Sequence, residues 1–477
     1  MLQLKHHQRR GRGLYTTRKV LAGETVFQED PMLLLVAQSM AQQACANCLK
    51  LITPQRGPFP CSACQQSCFC SSACQASANA HPEVHGEQIC RGYAALASAA
   101  GLTAEELDQG RFLLHALQLR GLHLAAADPR YGKLLQLEGQ PTAADLAAAA
   151  HIGAVLQPTL ASSSAAGCST PDSDPASNTD RAQLSPAGST DTYTPATPAT
   201  AAAAAAVSPP SLEEVATLLR KEQLNSYGIL GPNEARGERR LRGSAVYIDA
   251  SMVNHECTPT AARFDAFDSD APGSTRVSFR ALHDLPEGTE VTQSYCPLNW
   301  SYADRQQQCN DVYGFSCSCS RCQTESAWPD AESGGWESES SCCSQMEDEE
   351  EEQAEADLAV ASLTSRIVVN ADGMDLGGAS GSGSGMQAGV TRSNLATPEK
   401  EAVPNTYNLP VNSAPDDPPY EDTYVHLYLL KYLCPVPECY GTLAPTEPGG
   451  TCAECNVCGG LRTDAQFLAD LDKDQAM

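Results

Sequence analysis

Asn254-His255-Glu256-Cys257-Thr258-Pro259, followed downstream by Gly288-Thr289-Glu290-Val291-Thr292-Gln293-Ser294-Tyr295 and then by Tyr313-Gly314-Phe315-Ser316-Cys317-Ser318-Cys319-Ser320-Arg321-Cys322, carries most of what this chain discloses about itself. Cys317-x-Cys319-x2-Cys322 places three thiols in one loop, which leaves a tetrahedral zinc one ligand short. Cys257 is the candidate to complete it, although by itself it could be a small buried residue. Far upstream, Arg10-Gly11-Arg12-Gly13-Leu14 is a glycine-rich turn flanked by cations. Such a turn lets backbone approach a ligand closely, and an arginine can pair with a carboxylate. Singly these signals are weak: Gly-x-Gly usually marks a turn, an Asn-His pair is more often structural, and a tyrosine at a strand end is more often a packing residue.

Two further cysteine sets make metal the dominant theme. The first reads Cys45-x2-Cys48-x12-Cys61-x2-Cys64-x5-Cys70-x3-Cys74-x10-His85-x4-Cys90, eight ligands for two zinc ions. An interleaved arrangement is expected, with Cys45, Cys48, Cys70 and Cys74 on one ion and Cys61, Cys64, His85 and Cys90 on the other. His81 is the alternative to His85, and Cys68 is a spare thiol. A module this small has little core, so ligation energy becomes folding energy. The second set, Cys434-x4-Cys439 with Cys455-x2-Cys458, has the layout of a zinc ribbon, and Cys452 competes for a place in it. No βαβ context surrounds Cys455-x2-Cys458, which argues against a redox role.

The 477 residues hold 22 cysteines and a formal charge of −27. The chain opens with Lys5, His6, His7, Arg9 and Arg10 and has no apolar leader or run long enough to span a membrane, so a soluble intracellular protein, nuclear or cytoplasmic, is expected. In a reducing compartment the cysteines point to metal rather than disulfides. Residues 323–420 carry 19 acids and 3 bases, so −16 of the charge lies in one Ser-, Gly- and acid-rich insert. Residues 158–212, rich in Ala, Ser, Thr and Pro, form a second such insert. Neither buries enough apolar surface to offset chain entropy, and both are expected to be disordered. The acidic balance and the lack of a basic stripe argue against direct DNA contact.

Between these landmarks the periodicity alternates. Residues 14–36 read as two short strands about the turn Ala22-Gly23-Glu24, and Phe112, Leu113, Ala116, Leu117 and Leu119 read as helical. A helix is expected from Leu212 to Leu224, then short strands at 245–248, 277–281 and 290–294.

In this order, and with the first cysteine block lying between the Arg10 and Asn254 segments, these stretches resemble the SET domain, specifically the SET-and-MYND lysine methyltransferase family. The likeness covers residues 9–36, 45–90 and 213–322, and Tyr440-Gly441-Thr442-Leu443-Ala444-Pro445 after Cys439 is similar to the plant and green-algal branch. The resemblance implies an α+β fold with a mainly β SET core, discontinuous over 1–322 (1–40, 91–157 and 213–322). A MYND finger would be inserted at 45–90, with a helical SET insert, a zinc site after the SET core and a C-terminal ribbon at 424–471. It implies S-adenosylmethionine as cofactor, with Arg10, Arg12, Gly13, Asn225, Asn254, His255 and Phe315 beside it, and Tyr295 and Tyr313 as the tyrosines that orient the lysine amine and the sulfonium. It makes Cys257 the fourth ligand beside Cys317, Cys319 and Cys322. Zinc would number two in the MYND finger, one after the SET core and one in the ribbon. The implied partner is a protein lysine, on a histone or another protein, and MYND fingers of the family dock proline-rich peptides. A catalytically weak scaffold that binds such partners in transcriptional regulation is the alternative. The family usually has Ser and Asn where this chain has Glu256 and Thr260, and the long helical C-terminal domain of animal members is replaced by the acidic insert and ribbon.

Overall fold

Gly11, at a φ of +70° that favours glycine, turns the chain from strand Leu2–His7 into strand Gly11–Thr16. The structure, a computed structural model, describes residues 1–53, 57–162, 209–232, 239–271, 273–328 and 419–474. The hairpin continues into a four-stranded sheet, since Gly11–Thr16 pairs antiparallel with Glu290–Gln293, which pairs in parallel with the short strand Asn254–His255. Two three-stranded sheets stand beside it. One joins Ala261–Phe264, Val277–Ala281 and Thr25–Glu29; the other joins Leu33–Val36, Leu241–Val246 and Ser226–Leu230. Residues 14–36 thus contribute to three strands rather than the two expected. Asp30-Pro31 breaks the second because proline cannot donate to a ladder and constrains the residue before it.

Helices Glu87–Ser98, Ala104–Ala126, Ala143–Ser162 and Leu212–Asn225 pack together around a shared core. Ala104–Ala126 opens on a capping box in which Thr103 and Glu106 satisfy each other's backbone N–H. From Gln109 to Leu117 this helix is buried all round, and its polar residues are therefore paired. The His115 ring meets the Tyr93 hydroxyl at 2.6 Å and the Glu83 carbonyl at 2.8 Å, and burial pulls its pKa down to about 4. The expected inserts begin within helices: Ala143–Ser162 runs into the first and Ser320–Glu325 into the second. Residues 163–208 and 329–418, where both expectations chiefly fall, lie outside the described residues.

Residues 45–90 sit against the core through a loop beyond strand Ala261–Phe264. Asp268 accepts two bonds from the buried Arg242 guanidinium, at 2.6 and 3.1 Å, and one from the Leu51 N–H. Arg242 also donates to the Leu49 carbonyl. The C-terminal unit is a helix, Asp422–Tyr432, a three-stranded sheet of Leu443–Pro445, Cys452–Cys455 and Leu461–Thr463, and a last helix, Asp464–Asp474. It is fastened to the core by the Tyr428 hydroxyl on the Pro259 carbonyl at 2.6 Å, the Tyr432 hydroxyl on that of Leu282 at 3.2 Å, and Asn456 on that of Arg263. No helix among the described residues is long and apolar enough to cross a membrane.

Gly243 is the tightest point of the second small sheet: a Cβ there would stand 2.0 Å from the Leu35 carbonyl oxygen, a backbone atom that cannot swing away. A Gly243→Ala variant is expected to lose about 3 kcal/mol of stability, the upper part of the overpacking range, read as a lower denaturation midpoint with unchanged cooperativity. A midpoint equal to that of the parent would show that the two strands part at no cost.

Candidate active site

The four-stranded sheet brings the ends of the sequence motifs to one place. Asn254 is aligned with Thr292 and His255 with Gln293, while Leu14 is aligned with Val291. The Asn254 amide donates to the Arg12 carbonyl at 3.0 Å and to Glu290 Oε1 at 2.7 Å. Gly13 lies under this pair, where a Cβ would meet Glu290 Oε1 at 2.5 Å and Asn254 Nδ2 at 2.9 Å. The bare backbone of Gly13 is what lets the three segments close, and a Cβ at Gly11 would meet only open space.

Arg10 is held on three sides. Its guanidinium donates to the His255 carbonyl at 2.8 Å and stands 3.3 Å from Glu256 and 3.4 Å from Glu290. Burial lowers its pKa, but the two carboxylates outweigh this and the balance is upward. Arg12 pairs at 2.9 Å with the exposed Glu138, and the Asn225 amide donates to the carbonyls of Glu138 and Lys221, each at 2.8 Å. The buried Lys221 amine donates to the carbonyls of Leu137 and Gly139. Residues 137–139 are thus part of the site, although no motif signals them.

At the other end of the site the aromatic rings converge. Tyr295 and Tyr313 have centroids 4.6 Å apart, His255 lies 5.2 Å from Tyr295 and 6.0 Å from Phe315, and Phe315 lies 6.4 Å from Tyr313. The Tyr295 hydroxyl donates to the Val253 carbonyl at 3.0 Å, and burial raises its pKa well above the ordinary value. It therefore stays a neutral hydroxyl. Tyr227, which sequence reasoning missed, has its hydroxyl between the Ala250 carbonyl and the Gln293 amide, and its pKa is likewise raised by burial.

Four groups of cysteine and histidine come together, each with its ligand atoms within 4.8 Å of one another: Cys45, Cys48, Cys70 and Cys74; Cys61, Cys64, His85 and Cys90; Cys257, Cys317, Cys319 and Cys322; and Cys434, Cys439, Cys455 and Cys458. His81 and Cys68 stand outside the first two and Cys452 outside the last. Sulfur–sulfur distances of 3.5 to 3.9 Å within these groups are far too long for disulfides, at about 2.05 Å. They fit the edge of a tetrahedron of thiolates about 2.3 Å from a central zinc, which is about 3.8 Å. His85 is the clearest sign, because it is 5 % exposed and neither ring nitrogen has a hydrogen-bond partner. A buried imidazole left so costs several kcal/mol, about 1–3 for each group, unless a metal takes a nitrogen.

A fifth group, His255, Cys296 and Cys309, is also buried and equally close. His255 Nδ1 already accepts the Tyr295 backbone N–H at 3.0 Å, so a neutral ring carries its proton on Nε2, pointing at Cys257 Sγ at 3.2 Å. A metal on Nε2 would require the ring to lose that proton as well, and a structural hydrogen bond is the better reading of this group. The ring thereby ties a ligand of the third cysteine tetrad to the backbone of Tyr295.

A family profile for the SET domain matches residues 11–296. The histone-lysine N-methyltransferase ASHR2 of Arabidopsis thaliana is 29 % identical over 479 aligned positions, covering 95 % of this chain and 94 % of the relative. A SET and MYND domain-containing protein of Dictyostelium discoideum is 27 % identical over 114 residues, 24 % of this chain and 26 % of its own length. The N-lysine methyltransferase SMYD2-B of Danio rerio is 32 % identical over 85 residues, 18 % of each chain.

Proposed function

We infer from membership of the SET domain family, to which this chain belongs over residues 11–296, that it is an S-adenosylmethionine-dependent protein-lysine N-methyltransferase. The observation that carries the reading is that Asn254, His255 and the Gly11–Gly13 turn, joined in one sheet, meet the rings of Tyr295, Tyr313 and Phe315 at His255. When bound, the cofactor supplies an electrophilic methyl group on a sulfonium. The residues of the site suit it: a glycine turn with open space at Gly11, amide and carbonyl groups about Asn254 and Asn225, and aromatic edges at the far end.

The acceptor is a lysine amine of a protein, on a histone or another substrate, which must be neutral to react. A free lysine has a pKa of about 10.4, and an apolar aromatic passage favours the uncharged form. Tyr295 and Tyr313 then orient the amine by hydroxyl contacts, and that alignment lowers the entropic part of the barrier. The Cys257 tetrad would hold the loop that carries Tyr313 and Phe315 over this passage, as a zinc site after the SET core. Residues 45–90 are proposed to be a two-zinc MYND finger able to dock a proline-rich peptide, and the last tetrad a zinc ribbon, four zinc ions in all. The protein is assigned to the nucleus or cytoplasm.

Calorimetric titration of S-adenosylmethionine into the zinc-loaded protein is expected to give micromolar binding that Asn254→Ala abolishes, since that side chain joins the Arg12 carbonyl to Glu290. Folded, zinc-replete protein that binds no cofactor would leave the scaffold reading in its place.

A further inference from the structure

Arg305 is fully buried in helix Tyr302–Asp311, at 0 % side-chain exposure, and nothing in the reading above uses it. Its guanidinium points into the third cysteine tetrad: Nε lies 3.3 Å from Cys257 Sγ and Nη2 3.8 Å from Cys322 Sγ. Nη1 donates to the Trp300 carbonyl at 2.6 Å, and Nη2 is paired with Glu325. The other Glu325 oxygen accepts from Arg321 Nε at 2.6 Å, and Arg321 Nη1 donates to the carbonyls of Leu298 and Cys257. The same helix holds the loop at a second point, where Gln306 takes the Cys317 N–H on its carbonyl oxygen and gives an N–H to the Cys317 carbonyl.

Charge explains the arrangement. A divalent metal in four thiolates carries a net charge of about −2, here in a largely buried site with three of the four cysteines buried. Arg305 and Arg321, opposed by Glu325, bring the buried ensemble to about −1, and N–H donors from Arg305 and His255 draw electron density from the sulfurs. Stability alone does not account for it, because apolar replacement of a buried ion pair is often neutral or stabilising. A guanidinium fork is also the one cationic side chain that can meet two sulfurs, a carbonyl and a carboxylate at once.

We propose that Arg305 is a positioning residue for methyl transfer: through the Cys257 and Cys322 sulfurs it retains the metal that fixes the loop bearing Tyr313 and Phe315. The proposal rests on the lysine methyltransferase reading for its consequence, and on the tetrad alone for its metal half. Groups that support metal ligands in this way typically change metal affinity or activity by about 10–100-fold when removed.

The test uses the full zinc-loaded chain with Arg305→Gln and Arg305→Lys. In the Gln variant one zinc equivalent is expected to pass to a chromogenic chelator about 10–100-fold faster, the other zinc ions at the parental rate, with a matching fall in kcat. Arg305→Lys, which restores the charge but not the fork, is expected to recover part of the retention. In cobalt-substituted protein the thiolate-to-metal charge-transfer band of the Gln variant should move to lower energy as N–H···S bonds are lost. Parental release kinetics, or equal acceleration at every zinc, overturns the proposal. Zinc release is read without methyl transfer, so selective loss in a protein inert on every lysine substrate would sink the enzyme reading, and an active Gln variant that keeps its zinc would sink this one.

Discussion

Cys257→Ser is expected to remove one zinc equivalent and to lower kcat/KM by more than about 100-fold, the largest single effect any side chain in this protein should show. The magnitude follows from position. Groups that only support a ligand are worth about 10–100-fold, whereas Cys257 is itself 0 % exposed and stands 3.5 Å from the Cys322 sulfur and 3.9 Å from that of Cys317. The same sulfur accepts from His255 Nε2, whose Nδ1 holds the Tyr295 N–H. One substitution therefore releases the metal, the roof of the passage and the backbone of a tyrosine beneath it. Metal analysis of the purified variant together with initial rates checks this. Full zinc content with near-parental turnover would mean that the tetrad is ornamental to the reaction.

The second large effect lies away from the chemistry. His85→Ala should remove one zinc equivalent from residues 45–90 and make that segment the first to be cut by protease, with cofactor affinity unchanged. Structural zinc contributes about 10–16 kcal/mol of folding free energy to small modules, and little core is present to replace it. The buried ring with two unpartnered nitrogens is otherwise unaccounted for. Limited proteolysis followed by mass analysis separates the outcomes, and a variant that retains its metal and its resistance would return the ligand role to another group, His81 foremost.

These two sites were legible in the sequence for a physical reason. Ligands of one metal are spaced by what a short loop can reach, so Cys45-x2-Cys48 or Cys317-x-Cys319-x2-Cys322 announces itself without a fold. The partner Cys257 is sixty residues from Cys317, a candidate only because three thiols leave a tetrahedral site one ligand short, and the resemblance is what makes it the fourth ligand. Arg305, Arg321 and Glu325 were not legible at all, since a buried cation looks like a surface one until packing closes around it. Tyr227 and residues 137–139 escaped for the same cause: they enter the site through backbone carbonyls and sheet register, which leave no mark on residue type. Arg10 shows the converse. Its expected place beside the cofactor came from the resemblance, with which a glycine-rich turn is consistent, but its grip by Glu256 and Glu290 depends on segments drawn from three distant parts of the chain. Strand ends followed local chemistry, as at Asp30-Pro31, better than they followed hydrophobic runs.

The alignment of Tyr15 with Glu290 means that the ribosome delivers one strand of the central sheet 275 residues before its neighbour. At roughly 5–20 residues per second, the first hairpin waits about 15–55 s with one edge unpaired. An unpaired edge invites association with other nascent chains. The waiting strand is Gly-Arg-Gly-Leu-Tyr-Thr, whose glycines and charge make it a poor template, and its outer companion carries Lys5, His6 and His7. The glycines and charges of this turn thus serve a purpose early in the life of the chain, keeping its first-made hairpin from other partners until the strand that completes the sheet arrives.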